Sequence, residues 1–306
     1  MIRFKFYAAL ILSVIVLLVL VPEKNDVTQA QTTLKSNPPI VVSPEAAELF
    51  ALLEKGNFDG IAGKLKTKPA LVNARNQAGD TMLNICSKTG KKDFCVFLLS
   101  KGADVGIGDL NGITPLHSCV FSGNMELAES FINKGADCNA QTSKGMTALH
   151  LAAMRGNEAM AKLLIQKGAN LYARDYAYGY TPLHLSARSG NLKLAELFLS
   201  SGMNADEKDT DGWTPLLCAA IARKKDMCGF LLSRGANINA TGNNGEFAIH
   251  EAVQGGDPET LIFLVESGAD INSRDKDGRT PLDWAEEQPH LKEYLIQRGA
   301  KKGKDI

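Results

Sequence analysis

One feature constrains this chain more than any other: a glycine that returns every 33 residues. Gly79, Gly112, Gly145, Gly179, Gly212, Gly245 and Gly278 keep that spacing, apart from a single 34 between Gly145 and Gly179. They open the hexapeptides GDTMLN, GITPLH, GMTALH, GYTPLH, GWTPLL, GEFAIH and GRTPLD. A second comb runs in phase with the first, at Gly102, Gly135, Gly168, Gly202, Gly235, Gly268 and Gly299. Self-similarity at a fixed period of this length is the signature of stacked supersecondary units, each too small to bury its apolar face alone.

The letters inside one period have separate physical tasks. Threonine before proline, as in Thr114-Pro115 and Thr181-Pro182, starts a helix. The hydroxyl caps free N–H groups, and proline lacks the donor that would go unsatisfied there. Leucine then opens an apolar face that small residues such as Ala152-Ala153 continue, which lets neighbouring helices approach closely. Gly90, Gly123, Gly156, Gly190 and Gly256 end this first helix. A second apolar face ends in pairs such as Leu98-Leu99, Phe131-Ile132 and Leu231-Leu232, and stops at the second comb. Helix, helix and hairpin-like turn make one unit.

These segments resemble ankyrin repeats, through the Gly-x-Thr-Pro-Leu-His core and the Gly-Ala-Asp/Asn ending. The resemblance implies an all-α fold: a solenoid of stacked helix-turn-helix units with β-hairpin-like connecting loops. The expected repeat domain covers 43–302. It divides into a degenerate opening repeat 43–76, repeats 77–109, 110–142, 143–175, 176–209, 210–242 and 243–275, and a closing repeat 276–302. Terminal units need a polar outer face, and Glu286, Glu287, Lys292, Glu293 and Arg298 suit that role.

The first 21 residues differ from all that follows. Arg3 and Lys5 precede an apolar run at 6–21. This is short for a bilayer span, which takes about 20 apolar residues, and it fits the central region of a signal peptide. The cleavage motif is poorly formed, with Thr28-Gln29-Ala30 lying beyond a charged stretch. A signal peptide and an uncleaved membrane anchor, either one an N-terminal hydrophobic helix, therefore both stay open. Both place the repeats outside the cytoplasm. Residues 22–42 are polar and proline-containing and read as a flexible linker.

A hydrophobic fraction of 44% excludes a disordered chain. Lysine plus arginine equals aspartate plus glutamate, 34 against 34, so no cationic surplus favours nucleic acid. Cys86, Cys95, Cys119, Cys138, Cys218 and Cys228 form no metal-binding spacing. Each falls at a small buried position, so packing as small apolar residues is expected, although export would permit disulfides.

Little suggests chemistry. His117, His150, His184 and His250 all occupy the same repeat position, and units about 10 Å apart cannot share one metal ion. The resemblance implies that these histidines brace the turn backbone. His290 has no evident acidic or thiol partner. No phosphate loop or nucleophile elbow occurs. The expectation is a monomeric non-enzyme without cofactor or metal, which binds a protein partner. An inhibitor of one specific enzyme is the alternative.

By resemblance, the partner meets the hairpin tips and the inner, concave face of the first helices. The residue after the comb glycine runs Asp80, Ile113, Met146, Tyr180, Trp213, Glu246, Arg279, from polar through aromatic to polar again. The one irregular spacing brings in Tyr176 and Tyr178 beside Tyr180. First-helix ends add Phe121, Met154, Arg155, Arg188 and Arg223. Exposed aromatics with arginine match the composition of interface hot spots. Phe121, Met146, Met154, Arg155, Tyr176, Tyr178, Tyr180, Arg188, Trp213 and Arg223 are therefore the candidate contact set. The competing reading is that the aromatics pack on adjacent tips and stiffen the array.

Overall fold

The threonines act as expected. Thr81, Thr114 and Thr147 sit in extended backbone and accept from the N–H groups of Asn84, His117 and His150. Proline takes the first helical turn after Thr114, Thr181, Thr214 and Thr280. The computed structural model describes residues 40–306, which form one compact unit, Ile40–Ile306. The signal or anchor segment at 1–21 and most of the linker lie outside the described residues. Among those described, no helix is long and apolar enough to cross a membrane.

The helices come in pairs. The opening pair is α1 (Pro44–Glu54) and α2 (Phe58–Thr67). It is followed by α3 (Met82–Thr89) with α4 (Lys92–Ser100), and α5 (Pro115–Ser122) with α6 (Met125–Asn133). The middle units are α7 (Ala148–Arg155) with α8 (Glu158–Gln166), and α9 (Pro182–Ser189) with α10 (Leu192–Ser200). Then come α11 (Pro215–Ile221) with α12 (Lys225–Ser233), and α13 (Ala248–Gly255) with α14 (Pro258–Glu266). A short α15 (Pro281–Trp284) and α16 (Pro289–Gln297) close the stack. Among the described residues there is no strand, and only two isolated β-bridges, Arg75–Thr81 and Thr241–Phe247.

Two layers result. First helices α3, α5, α7, α9, α11, α13 and α15 pack each on the next, and behind them α6, α8 and α10, and then α12, α14 and α16, do the same. The core is two residue rows. Leu83, Leu116, Leu149, Leu183, Leu216, Ile249 and Leu282 come from the first helices, and Leu98, Phe131, Leu164, Phe198, Leu231, Leu264 and Leu295 from the second. All are essentially inaccessible, and each such side chain contributes about 1.5–3 kcal/mol.

The histidines tie one repeat to the next. In His117 and its equivalents Nδ1 accepts from the backbone N–H three residues back, as at Thr114 (3.2 Å) and Thr147 (3.1 Å). The far nitrogen reaches a carbonyl of the following hairpin. His117 meets Met146 at 3.2 Å, His150 Tyr180 at 2.9 Å, His184 Trp213 at 3.0 Å and His250 Arg279 at 3.2 Å. An acceptor on one side and a carbonyl on the other require the neutral ring with its proton on Nε2. Burial favours the same form, lowering His117 and His184 to about 4 and also lowering His150 and His250. In the first complete repeat Asn84 takes this place, accepting from Thr81 N–H at 2.8 Å and donating to the Ile107 and Ile113 carbonyls.

Beyond α15, residues 301–303 meet the stack where a hairpin meets it in the earlier repeats. Asp283 stands in the histidine position and accepts from Gly303 N–H at 2.7 Å, while Thr280 donates to the Lys301 carbonyl at 2.8 Å.

All six cysteines lie at small, buried positions, and for one pair the open alternative of a disulfide is the one found. Cys86 and Cys95 form a disulfide between α3 and α4, with Cα atoms 5.9 Å apart. They sit at small-residue positions of facing helices, which brings the two sulfurs together. Cys119, Cys138, Cys218 and Cys228 are free and buried, as the packing argument requires. Burial raises the Cys119 and Cys228 thiols to about 12, which keeps them protonated.

Candidate partner-binding site

All but one of these hairpins are set by a side-chain oxygen just before the comb glycine. Asp109 Oδ1 accepts from Asn111 and Ile113 N–H, Asp209 Oδ1 from Asp211 and Trp213, and Asp275 Oδ1 from Asp277 and Arg279. Asn76 and Thr142 do the same for their own turns. This row of Asn, Asp and Thr stands three residues before Gly79, Gly112, Gly145, Gly212 and Gly278, a signal legible in the sequence alone. Neighbouring tips are then joined edge to edge. Ser143 N–H donates to the Asn111 carbonyl at 2.7 Å, Tyr176 to Lys144 at 2.9 Å, Thr210 to Tyr178 at 3.0 Å and Asn243 to Asp211 at 2.7 Å.

From Ile113 to Glu246 the residue after the glycine does not face solvent. Its carbonyl accepts from the residue that opens the turn, as Ile113 does from Asp109 and Met146 from Thr142. That pairing turns the side chain inward. Met146, Tyr180 and Trp213 are consequently buried, at 7%, 3% and 4% exposure, so the expectation that they stand exposed does not hold. Tyr180 lies between the Tyr178 ring (5.2 Å between centroids) and the His184 ring (5.7 Å). Burial pushes its phenol well above the ordinary value. For these three positions the packing reading is the correct one.

Trp213 has a more specific task. The repeat it opens carries Leu217 where its neighbours carry histidine, and the Thr214 hydroxyl is buried without a partner. The missing brace is replaced from the next hairpin, where Trp213 Nε1 donates to Glu246 Oε1 at 2.6 Å. The other oxygen of Glu246 accepts from Asn244 N–H at 2.9 Å, so Glu246 also does the turn-setting work of the absent aspartate. Gly242 makes this possible, since a Cβ there would lie 2.5 Å from Glu246 Oε1. Four departures from the repeat pattern are one compensated unit.

The extra residue of the fourth hairpin stays at its tip. Asp175 N–H reaches the carbonyl of Tyr180, one residue further than in the other turns, and its side chain accepts from Tyr178, Gly179 and Tyr180. Tyr176 is left 66% exposed, its hydroxyl donating to Gln141 Oε1 at 2.9 Å, and Tyr178 is half-buried. At the first-helix ends Phe121, Met154 and Arg188 are half-buried, while Arg155 and Arg223 are exposed. The Arg155 guanidinium lies over the Phe121 ring, 4.6 Å from its centroid. Both residues border a cleft of about 360 Å³ between the α5–α6 and α7–α8 turns. At the opening end Lys88 fills the equivalent of Phe121 and pairs with Asp80 at 2.7 Å and Asp109 at 2.9 Å.

Arg223 is the one non-glycine among the described residues with positive φ, at 59°. It occupies the helix-ending position that is glycine in Gly90, Gly123, Gly156, Gly190 and Gly256. A side chain there costs about 1 kcal/mol or more relative to glycine. Replacing Arg223 with glycine is therefore expected to raise stability by about 1 kcal/mol, read as a higher urea midpoint. A lower midpoint would show that the arginine side chain stabilises the fold itself.

Among the described residues no group of three or more His, Cys, Asp or Glu is placed to hold a metal ion. Models described as ankyrin repeats (3 copies) match residues 49–142, 83–175, 116–209 and 173–242, and one described as ankyrin repeats (many copies) matches 231–285. No curated protein sequence matches significantly. Among solved structures the chain is similar to the human ASB11 ankyrin repeat domain, at 23% identity and a TM-score of 0.66. That match covers 72% of this chain and 99% of the other.

Proposed function

We propose, from the premise that this chain belongs to the ankyrin-repeat family, that it is a protein-interaction module whose partner lies along the first-helix ends and hairpin tips. Ankyrin repeats generally bind protein partners and are typically non-enzymatic scaffolds. The observation that carries the placement is a division of labour. Met146, Tyr180, Trp213 and the histidines serve the stack, whereas Phe121, Met154, Arg155, Tyr176, Tyr178, Arg188 and Arg223 line an accessible edge. Tyrosine and arginine there offer large contact areas, and arginine adds several donors.

A photo-crosslinking residue placed at Met154 or Tyr178 tests this against one at Val96 on α4, which is 47% exposed on the second-helix layer. Discrete adducts with another protein are expected from Met154 and Tyr178 and not from Val96. Adducts from Val96 alone would place the partner elsewhere.

The same proposal puts the repeats outside the cytoplasm, on the strength of Arg3, Lys5 and the apolar run at 6–21. Mass spectrometry of the mature chain decides its form. A start near Gln31 means release, an intact Met1 means anchorage, and a cytosolic full-length chain would refute export.

A further inference from the structure

A row of polar side chains six residues before the comb glycine fastens each repeat to the next. Asn73, Asn139, Asp206 and Asn272 accept there from the backbone N–H groups of Asp104 (2.8 Å), Asn170 (2.7 Å), Asn237 (2.9 Å) and Lys301 (2.8 Å). Asn73 and Asn139 also donate their amide nitrogens to the carbonyls of Gly102 and Gly168, just past the second helices. Asn239 holds the same position and is exposed, yet its side chain makes no such bond. Two residues later stands Thr241. Its backbone serves the hairpin, through the bridge to Phe247 and a carbonyl that accepts from Lys208 Nζ at 3.1 Å, while its hydroxyl is left unbonded. Asn239-Ala240-Thr241 is also the one Asn-x-Ser/Thr triplet in the sequence, the acceptor pattern for an N-linked glycan. The only asparagine in that pattern is thus the one this row leaves free.

We infer that Asn239 carries an N-linked glycan, added as the chain enters an oxidising lumen. The inference rests on the proposed placement of the repeats outside the cytoplasm. The Cys86–Cys95 disulfide supports the same kind of compartment, because such bonds persist where thiols are not kept reduced. In the transfer, Asn239 Nδ2 attacks the anomeric carbon of an oligosaccharide carried on a lipid pyrophosphate. The C–N bond forms, the C–O bond to the pyrophosphate breaks, the lipid pyrophosphate leaves and the amide gives up one proton. The fold holds the product at no cost in hydrogen bonds, since Asn239 surrenders none. At Asn73 or Asn139 the same nitrogen is engaged with the next repeat. The glycan also stands clear of the partner. Each helix pair turns back on itself, so the second helices end at the opposite side of the unit from the first-helix ends that carry Phe121, Met154 and Arg155. The row of Asn239 lies beside the second-helix ends, where Gly102 and Gly168 accept from it.

The test is mass spectrometry of the full chain, purified from the cells that make it, before and after peptide-N-glycosidase in water labelled with oxygen-18. The untreated chain is expected to exceed its sequence mass by one glycan. Treatment should remove that excess and leave residue 239 as aspartate bearing the heavy oxygen. The N239Q and T241A chains should both lack the added mass; T241A keeps the asparagine and removes only the hydroxyl that recognition needs. Crosslinks from Met154 and Tyr178 should persist in N239Q. An unmodified Asn239 in the exported chain would overturn the inference, as would a glycan that survives in N239Q and T241A. Loss of the Met154 and Tyr178 crosslinks in N239Q would overturn the placement of the glycan away from the partner. The mature N-terminus separates the two readings. An exported chain with bare Asn239 removes this inference alone, whereas a cytosolic full-length chain removes export and the glycan together.

Discussion

Acidification from pH 7 to pH 4 is expected to remove about 6 kcal/mol of stability through His117 and His184 alone. Both rings are neutral when folded, wedged between an N–H donor and a carbonyl of the next hairpin. Burial lowers each from the ordinary 6.5 to about 4. In the intervening window the unfolded chain takes up protons that the folded chain refuses. Stability is therefore complete above about pH 6.5 and is lost as pH falls toward 4, at about 3 kcal/mol for each ring. His150 and His250 are lowered by the same cause and add to the loss.

The chain supplies its own control. Asn84 fills the histidine position of the first complete repeat with the same bonding pattern and cannot titrate. The H117N/H184N variant should then show a shallower decline of urea midpoint between pH 6.5 and 4.5 than wild type, whatever its stability at neutral pH. Parallel curves for the two proteins would show that the histidines are not the acid-sensitive braces.

Removing Glu246 is expected to cost about half as much, at about 3 kcal/mol for Glu246→Ala. The substitution strips acceptors from two donors, the buried Trp213 Nε1 and the part-buried Asn244 N–H. Leu217→His should recover about 1–2 kcal/mol of that loss. A histidine there would find the Thr214 hydroxyl that now lacks a partner, and would stand where the other braces reach the next hairpin. A double-mutant cycle on urea midpoints measures the coupling. If L217H is equally harmful with and without Glu246, the two devices are not substitutes for one another.

These devices mark how far the sequence could be read. The combs, the Thr-Pro starts and the paired apolar rows specify the helix pairs directly, because each is a local preference that the stack repeats. The family membership follows from the same residues. The contact set was only partly legible. Tyr180 and Trp213 follow the comb glycine, a position that reads as an exposed tip, yet backbone pairing across the turn aims them into the stack. The Asn, Asp and Thr row that sets this pairing was present all along, and so was its one gap at Gly242. No local pattern could reveal that Glu246 fills that gap, since the bond to Trp213 joins residues 33 apart. The Cys86–Cys95 pair was hidden for a similar reason, as both residues sit where small apolar side chains are expected.

The central claim is that framework side chains turn into the stack and leave one edge, from Phe121 to Arg223, for the partner. Hydrogen-exchange mass spectrometry of the chain with its crosslink-identified partner tests it most directly. Protection should rise at the α5, α7, α9 and α11 C-termini and at the tip of residues 175–180, with the second helices unchanged. Protection confined to the second-helix layer, with that edge exchanging as in the free chain, would contradict it.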